Sequence, residues 1–122
     1  MAKHRTDELG RNDPPFLILT SLASGPKHGY ALTQDIETFA GVRLGPGSLY
    51  GAITRLEQRG LIAPVESDDR RQPYELTAAG RATLGQASEG LRRLADEADA
   101  RLGARARPAR ARGAAGLAGG LA

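Results

Sequence analysis

The chain has 122 residues, enough for one domain with short extensions, and its 40% hydrophobic and 25% charged content is typical of a folded protein. It has no cysteine, which excludes disulfides, thiolate catalysis and cysteine-ligated metal sites. The net charge is +3, but residues 1–76 hold nine Lys/Arg against ten Asp/Glu, so the excess of arginine lies in residues 77–122. A basic surface within residues 1–76 can therefore come only from a few neighbouring cations and not from the net charge of this part of the chain.

The N-terminal residues carry charge and lack the apolar stretch of a signal peptide. No apolar run approaches the ~18–20 residues that a membrane helix needs. We therefore expect a soluble, cytoplasmic protein without a membrane partner. Residues 1–13 are polar, and we expect them to form a flexible N-terminal segment.

The first two predicted helices are separated by a turn at Gly25-Pro26. Pro14-Pro15 begins the first helix, because proline lacks the N–H that has no partner in a first helical turn. The second helix carries Leu32, Ile36 and Phe39 at i, i+4 and i+7, which is the spacing of an amphipathic helix.

A third helix is predicted from Leu49 to Gly60, capped by Ser48 or by the turn before it. Leu49, Ile53 and Leu56 form its apolar face. The opposite face is small and polar, and it consists of Tyr50, Gly51, Thr54, Arg55 and Gln58.

Two extended stretches, residues 61–66 and 72–76, flank a polar turn and predict a two-stranded hairpin. Thr77 is a natural N-cap for a long fourth helix over residues 78–103. Residues 104–122 are rich in Ala, Gly and Arg, and we expect a disordered tail there.

Three helices followed by a two-stranded wing is the order of a winged helix. We therefore predict a mainly helical α+β fold. In it, residues 14–77 form a three-helix helix-turn-helix core with a two-stranded β-wing, and residues 78–103 form a long C-terminal dimerisation helix.

Three motifs, in this order, resemble the PadR family of transcription regulators. They are Lys27-His28-Gly29-Tyr30, Leu44-Gly45-Pro46-Gly47-Ser48-Leu49-Tyr50 and Tyr74-Glu75-Leu76-Thr77-Ala78-Ala79-Gly80. The likeness covers roughly residues 14–90. It implies a transcriptional repressor that binds an inverted-repeat operator in double-stranded DNA as a homodimer. It also implies a small aromatic or drug-like inducer that binds near the dimer interface, although no residue here identifies that molecule.

The wing departs from the PadR pattern in two places. Asp68-Asp69 precede Arg70-Arg71 in a turn that usually resembles a Gly/Arg/Lys-rich sequence, and Pro73 stands where a cation is common. Both departures weaken the expected contact between the wing and a phosphate.

A helix in the major groove needs an apolar face toward its own domain and a small polar face toward the bases. We therefore predict that the third helix contacts DNA, with Gly51 permitting close approach and Arg55 pairing with guanine or phosphate. The predicted contacts are Ser48, Tyr50, Gly51, Thr54 and Arg55. The alternative interpretation is an ordinary solvated helix face.

Three further cations are predicted to contact backbone phosphates: Lys27, Arg70 and Arg71. For the two arginines the alternative is a pair of turn residues bridged to Asp68 and Asp69. For Lys27 the alternative is a solvated turn lysine.

Apolar residues recur in the fourth helix at spacings of three, four and seven residues. They form a longer apolar surface than a domain of this size can bury against itself. Pairing with the same helix of a second chain would bury them. The predicted dimer interface consists of Leu84, Leu91, Leu94, Ala95, Ala98 and Leu102. Packing against the first helix is the alternative, which we expect for the N-terminal part.

The sequence shows no nucleophile elbow, phosphate loop or carboxylate pair in a glycine-rich frame, so we expect neither an enzyme nor a cofactor. Only His4 accompanies His28, too few residues for a metal site. Tyr30 and Tyr74 are interpreted as packing residues with a polar tip. The alternative function is a winged-helix protein–protein module with a basic tail and no sequence-specific DNA binding.

Overall fold

The computed structural model describes residues 13–103, which divide into two compact units between Ser88 and Glu89. The predicted tail at 104–122 and all but the last residue of the N-terminal segment at 1–13 lie outside this range. In the first unit are α1 (Pro14–Leu22), β1 (Lys27–His28), α2 (Gly29–Ala40), α3 (Pro46–Gln58), β2 (Ile62–Pro64) and β3 (Pro73–Leu76). The last helix, α4 (Ala78–Leu102), begins in the first unit and ends in the second.

The centre of the first unit is α1, which packs against α2, α3 and β3. The helix begins with two prolines, as predicted, and its first backbone hydrogen bond runs from Leu17 N to Asp13 O over 3.0 Å. Every large residue of the core is aliphatic, and the core residues are Leu17, Ile18, Leu19, Leu22, Leu32, Ile36, Leu49, Ala52, Ile53, Leu56, Leu61 and Ile62.

The amphipathic pattern of α2 is confirmed for Leu32 and Ile36, which are fully buried. The prediction for Phe39 is wrong, because this side chain is 45% exposed. The buried face continues by four residues from Ile36 to Ala40, which packs partly against the core. Gly41 ends the helix in the left-handed conformation, with φ of 68°.

The third helix begins three residues earlier than predicted. Its N-cap is Gly45 and Pro46 occupies the first turn, so Ser48 lies inside the helix and does not cap it. Leu49, Ile53 and Leu56 are buried as predicted. No side chain caps this helix, and Pro46 lacks one of the N–H groups that have no partner in a first turn.

The predicted wing is present, and a third strand extends it into a sheet of order β1-β3-β2. Both neighbouring pairs are antiparallel: Ile62 faces Leu76 on one side of β3, and Lys27 faces Tyr74 on the other. The short β1 was not predicted, since two residues carry no alternation of apolar and polar side chains. The helix order and the antiparallel wing confirm the predicted winged-helix fold class.

The start of α4 is fixed to the end of α3 by a network around Thr77. The Thr77 hydroxyl accepts the N–H of Gly80 over 3.0 Å, which confirms Thr77 as the N-cap, and it donates to Gly60 O over 2.7 Å. The Thr77 N–H donates to Leu61 O over 3.1 Å. A Cβ on Gly80 would overlap that same carbonyl oxygen, so glycine is required for this close approach.

Candidate nucleic-acid interface

The two helices α2 and α3 are joined by residues 41–45 and form a helix-turn-helix. Because its leucines and Ile53 are buried in the core, α3 turns its other face to solvent. On that face Ser48, Tyr50, Thr54 and Arg55 are exposed and Gly51 is half-buried. The five residues predicted to contact DNA thus share the uncovered side of one helix.

The polar groups on the exposed face of α3 have defined positions. The hydroxyl of Thr54 donates to Tyr50 O over 2.9 Å, so its oxygen can still accept hydrogen bonds and its methyl group stays exposed. The guanidinium of Arg55 lies back along the helix, with Nη1 3.5 Å from the place that a Cβ on Gly51 would take. Because Gly51 has no side chain, the exposed face of α3 is low at this position, next to the guanidinium of Arg55.

The ring of Tyr50 packs against the backbone of α2. A Cβ on Gly29 would overlap the Tyr50 hydroxyl and lie 2.9 Å from Cζ, so a larger residue at this position would require the Tyr50 ring to shift. Tyr50 still exposes 52% of its surface. It therefore links α3 to the start of α2 while remaining accessible to a partner.

The start of α2 also carries His28 and Tyr30. His28 caps the helix by accepting the N–H of Ala31 at Nδ1 over 3.4 Å. Tyr30 is 63% exposed, which is more than a packing residue would be, so that interpretation of the sequence is wrong. The spacing was informative here, because Tyr30 lies off the face that Leu32 and Ile36 define.

Arg71 in the wing is held by Asp69. The Arg71 N–H donates to Asp69 Oδ1 over 3.3 Å, and its Nη2 lies 3.5 Å from Oδ2. The N–H of Arg71, more than the guanidinium charge, lowers the pKa of the Asp69 carboxyl below its ordinary 3.8. Arg70 is exposed beside them. The predicted alternative of an ion pair is thus present for Arg71, and both phosphate contacts remain predictions.

Lys27 points into the first unit instead of toward solvent. Its side chain is 18% exposed, and its ammonium donates to Ser21 O over 2.5 Å and to the Ser24 hydroxyl over 2.8 Å. Asp35 lies 3.9 Å away and accepts the Ser21 hydroxyl over 2.6 Å. A phosphate contact by Lys27, which stays a prediction, would require these hydrogen bonds to break.

The second half of α4 presents an apolar stripe to solvent. Leu91, Leu94 and Leu102 are 41%, 67% and 72% exposed, and Ala95 and Ala98 between them are also exposed. Leu84 differs, because it packs partly against the core of the first unit. Leu84 could therefore contribute to a dimer interface only with the part of its side chain that the core leaves uncovered.

A family model described as the transcriptional regulator PadR-like family matches residues 18–86, more than half of the chain. The chain belongs to the PadR-like family of transcriptional regulators. Family members of this kind bind DNA, which agrees with an exposed α3 beside a wing. None of the helices within residues 13–103 combines the length and hydropathy needed to cross a membrane.

Individual relatives of this PadR-like regulator include two bacterial sequences and many solved structures. A transcriptional regulator of Mycobacterium tuberculosis is 40% identical over 83 residues, covering 66% of this chain and 77% of its own length. An uncharacterized protein of a transposon in Streptomyces fradiae is 49% identical over 83 residues, covering 68% of this chain; the chain spans only 24% of that protein. A PadR-family regulator of Eggerthella lenta matches with a TM-score of 0.67 and 28% identity, covering 80% of this chain and 88% of that structure.

Proposed function

We propose that this PadR-like regulator is a repressor that binds an inverted-repeat operator as a homodimer. The proposal rests on the two faces of α3. One face is buried in the core, and the other exposes Ser48, Tyr50, Thr54 and Arg55. That is the arrangement of a helix that enters the major groove and reads base edges with short polar groups and an arginine.

A second copy of the chain supplies the second recognition helix. The stripe of Leu91, Leu94 and Leu102 is too apolar for an exposed surface, and the same stripe on a second chain covers it in a two-fold dimer. In such a dimer two α3 helices reach successive major grooves, ~34 Å apart, so the operator is an inverted repeat. A small aromatic or drug-like inducer that binds near this interface would change the spacing of the two helices and release the DNA.

The proposal is tested by selecting bound sequences from a random pool of duplex DNA and titrating salt on the enriched sequence. An inverted repeat with half-sites one helical turn apart supports the repressor, and its affinity should fall steeply with salt. A pool from which no sequence is enriched contradicts it.

Arg55→Ala tests the role of α3 in reading the sequence. We expect a loss of about 1–3 kcal/mol in binding free energy and a relaxed preference at one position of each half-site, because an arginine pairs bidentately with guanine. Binding to a library of single-base operator variants measures both. A uniform loss over all variants would instead show that Arg55 contacts a phosphate.

A further inference from the structure

The long helix α4 is held to the first unit at its beginning. Thr77 caps it, Gly80 lies against Leu61 O, and Leu84 packs partly against the core. Along α4, the whole of which the structure describes, Gly80 is the one buried residue. The helix then continues past these contacts to Leu102. Its beginning is therefore fixed to the recognition helix and the wing, and its later part is not.

Two further glycines, Gly85 and Gly90, lie in the middle of α4 at exposed positions. A Cβ on either would meet nothing within 4 Å, unlike a Cβ on Gly80, which would overlap a carbonyl oxygen. Residues five apart point about 140° apart around a helix, so no single neighbouring helix could approach closely over both. Close packing therefore does not explain why these two positions are glycine.

Glycine weakens the interior of a helix, because its backbone loses more conformational freedom than that of any other residue. Each glycine favours the helix about fivefold less than alanine does. The residues between the two glycines are exposed except Ser88, which is half-buried, so neighbouring elements add little support. Residues 85–90, which we call the hinge segment, are thus a locally weak part of a long helix.

The position of the hinge segment in the molecule is informative independently of its glycines. The two compact units divide between Ser88 and Glu89, inside this segment. The part of α4 before it belongs to the unit with the recognition helix, and the apolar stripe begins directly after it at Leu91. Helices bend at glycine and serine, and a hinge is a short run of residues that absorbs backbone rotation between two bodies.

We propose that the hinge segment lets the DNA-binding unit of each protomer turn relative to the apolar stripe, so that one dimer binds operators whose half-sites differ in spacing by one base pair. This inference rests on the proposed dimer and its operator. One base pair moves a half-site by about 3.4 Å and rotates it by roughly 35° about the DNA axis. A stiff α4 cannot follow both changes, whereas small bends shared between two hinge segments can.

The test compares the wild-type protein with the double variant Gly85→Ala, Gly90→Ala on three duplexes. These are the selected operator and two copies in which one base pair is inserted or removed between the half-sites. Fluorescence anisotropy measures each Kd. Both proteins should bind the selected operator equally well. On the altered operators the double variant should lose at least about tenfold more affinity than the wild type, because a stiff link that cannot reach both half-sites forfeits the avidity of the dimer.

A distance measurement tests the hinge segment without DNA. The chain has no cysteine, so Gln58→Cys at an exposed position of α3 introduces a single attachment site for a spin label in each protomer. Pulsed electron paramagnetic resonance then gives the distribution of distances between the two labels of a dimer. The distribution should be narrower in the double variant, and equal widths in the two proteins would contradict the hinge.

The control returns a glycine to α4 outside the hinge segment. Adding Ala100→Gly to the double variant weakens the helix at an exposed position in its later part. The strict spacing preference and the narrow distance distribution should both persist. Their reversal would show that the overall stability of α4, and not the hinge segment, sets the tolerance.

The double variant should fold, since both alanines fit without contact and should raise the thermal midpoint. Equal losses of both proteins on the altered operators would overturn the hinge while the selected operator is still bound. A wild-type protein that selects no DNA, or that sediments as a monomer, would overturn the proposed function itself. The two failures are therefore distinguishable.

Discussion

At the scale of single residues, Lys27 shows how a cation in a predicted DNA-binding motif can serve the fold. Its ammonium donates to Ser21 O at the end of α1 and lies 3.9 Å from Asp35 of α2. Cations near the last turn of a helix satisfy carbonyl groups that have no partner within the helix. Lys27 therefore connects the first two helices of the helix-turn-helix.

Replacing Lys27 by methionine should lower the free energy of unfolding by about 1–3 kcal/mol, because it removes the hydrogen bonds of the ammonium to Ser21 O and the Ser24 hydroxyl and its ion pair with Asp35. Urea unfolding measures this. Arg43→Met is the control: its ion pair with Glu37, at 2.8 Å, is exposed, so the loss should stay below about 1 kcal/mol. Should Lys27→Met instead spare stability and reduce the salt slope of DNA binding, Lys27 would be a phosphate contact.

At the scale of elements, α3 contacts the start of α2 through the ring of Tyr50, which lies against Gly29. Gly29 is buried at the first position of α2, where alanine would ordinarily be tolerated. Here the added Cβ would overlap the Tyr50 hydroxyl, so alanine would have to displace the Tyr50 ring. The glycine of the Lys27-His28-Gly29-Tyr30 motif is thus explained by a residue of α3, outside the motif.

Gly29→Ala should reduce the free energy of unfolding by about 1–3 kcal/mol through overpacking, and most of this loss should vanish in a Tyr50→Ala background. Gly85→Ala is the control within α4. A Cβ there meets nothing within 4 Å, so alanine should stabilise the helix by up to about 1 kcal/mol. Equal losses for Gly29→Ala in both backgrounds would show that Tyr50 is not the obstacle.

The wing depends on pH through Tyr74. Burial, and then the nearby Glu57 and Tyr50, raise the pKa of Tyr74 above its ordinary 10.0. The folded protein thus holds this proton more tightly than the unfolded chain. The resulting stability is present below pH 10 and is lost as the pH rises through the raised pKa.

We therefore expect the free energy of unfolding to fall as the pH rises above 10 and through the raised pKa of Tyr74, and to fall less in Tyr74→Phe, which has no proton to lose. Urea titrations across this range measure the difference between the two proteins. The same slope in both would mean that Tyr74 ionises equally in the folded and unfolded states.

At the scale of the whole molecule, the apolar stripe on the second half of α4 is the surface that we propose a second chain covers. Leu94 is 67% exposed at the middle of this stripe. A two-fold axis repeats each contact, so one substitution removes two apolar contacts and brings two like charges together. Full burial of a leucine contributes about 1.5–3 kcal/mol, which makes Leu94 a sensitive position.

Leu94→Glu should convert the protein to a monomer in sedimentation velocity and weaken operator binding, because one recognition helix alone holds the DNA poorly. Ala100→Glu introduces the same charge at an exposed position on the opposite side of the helix, and it should leave the dimer intact. A Leu94→Glu protein that remains dimeric would refute this interface.

The sequence by itself determined the helices, the wing hairpin and the exposed face of α3. Proline, glycine and Thr77 mark helix ends through local backbone chemistry, and the spacing of Leu49, Ile53 and Leu56 determines which side of α3 is buried. These signals act over a few neighbouring residues, so they can be read without the fold.

Only the tertiary structure decided which polar groups are free to meet a partner. Lys27 turns inward, Tyr30 turns outward, and Arg71 but not Arg70 lines the small cavity that Tyr30, Tyr50 and Tyr74 border. The third strand and the contact between Tyr50 and Gly29 likewise join residues 20 or more positions apart in the chain. Such contacts follow from the packing of whole elements, which local periodicity does not encode.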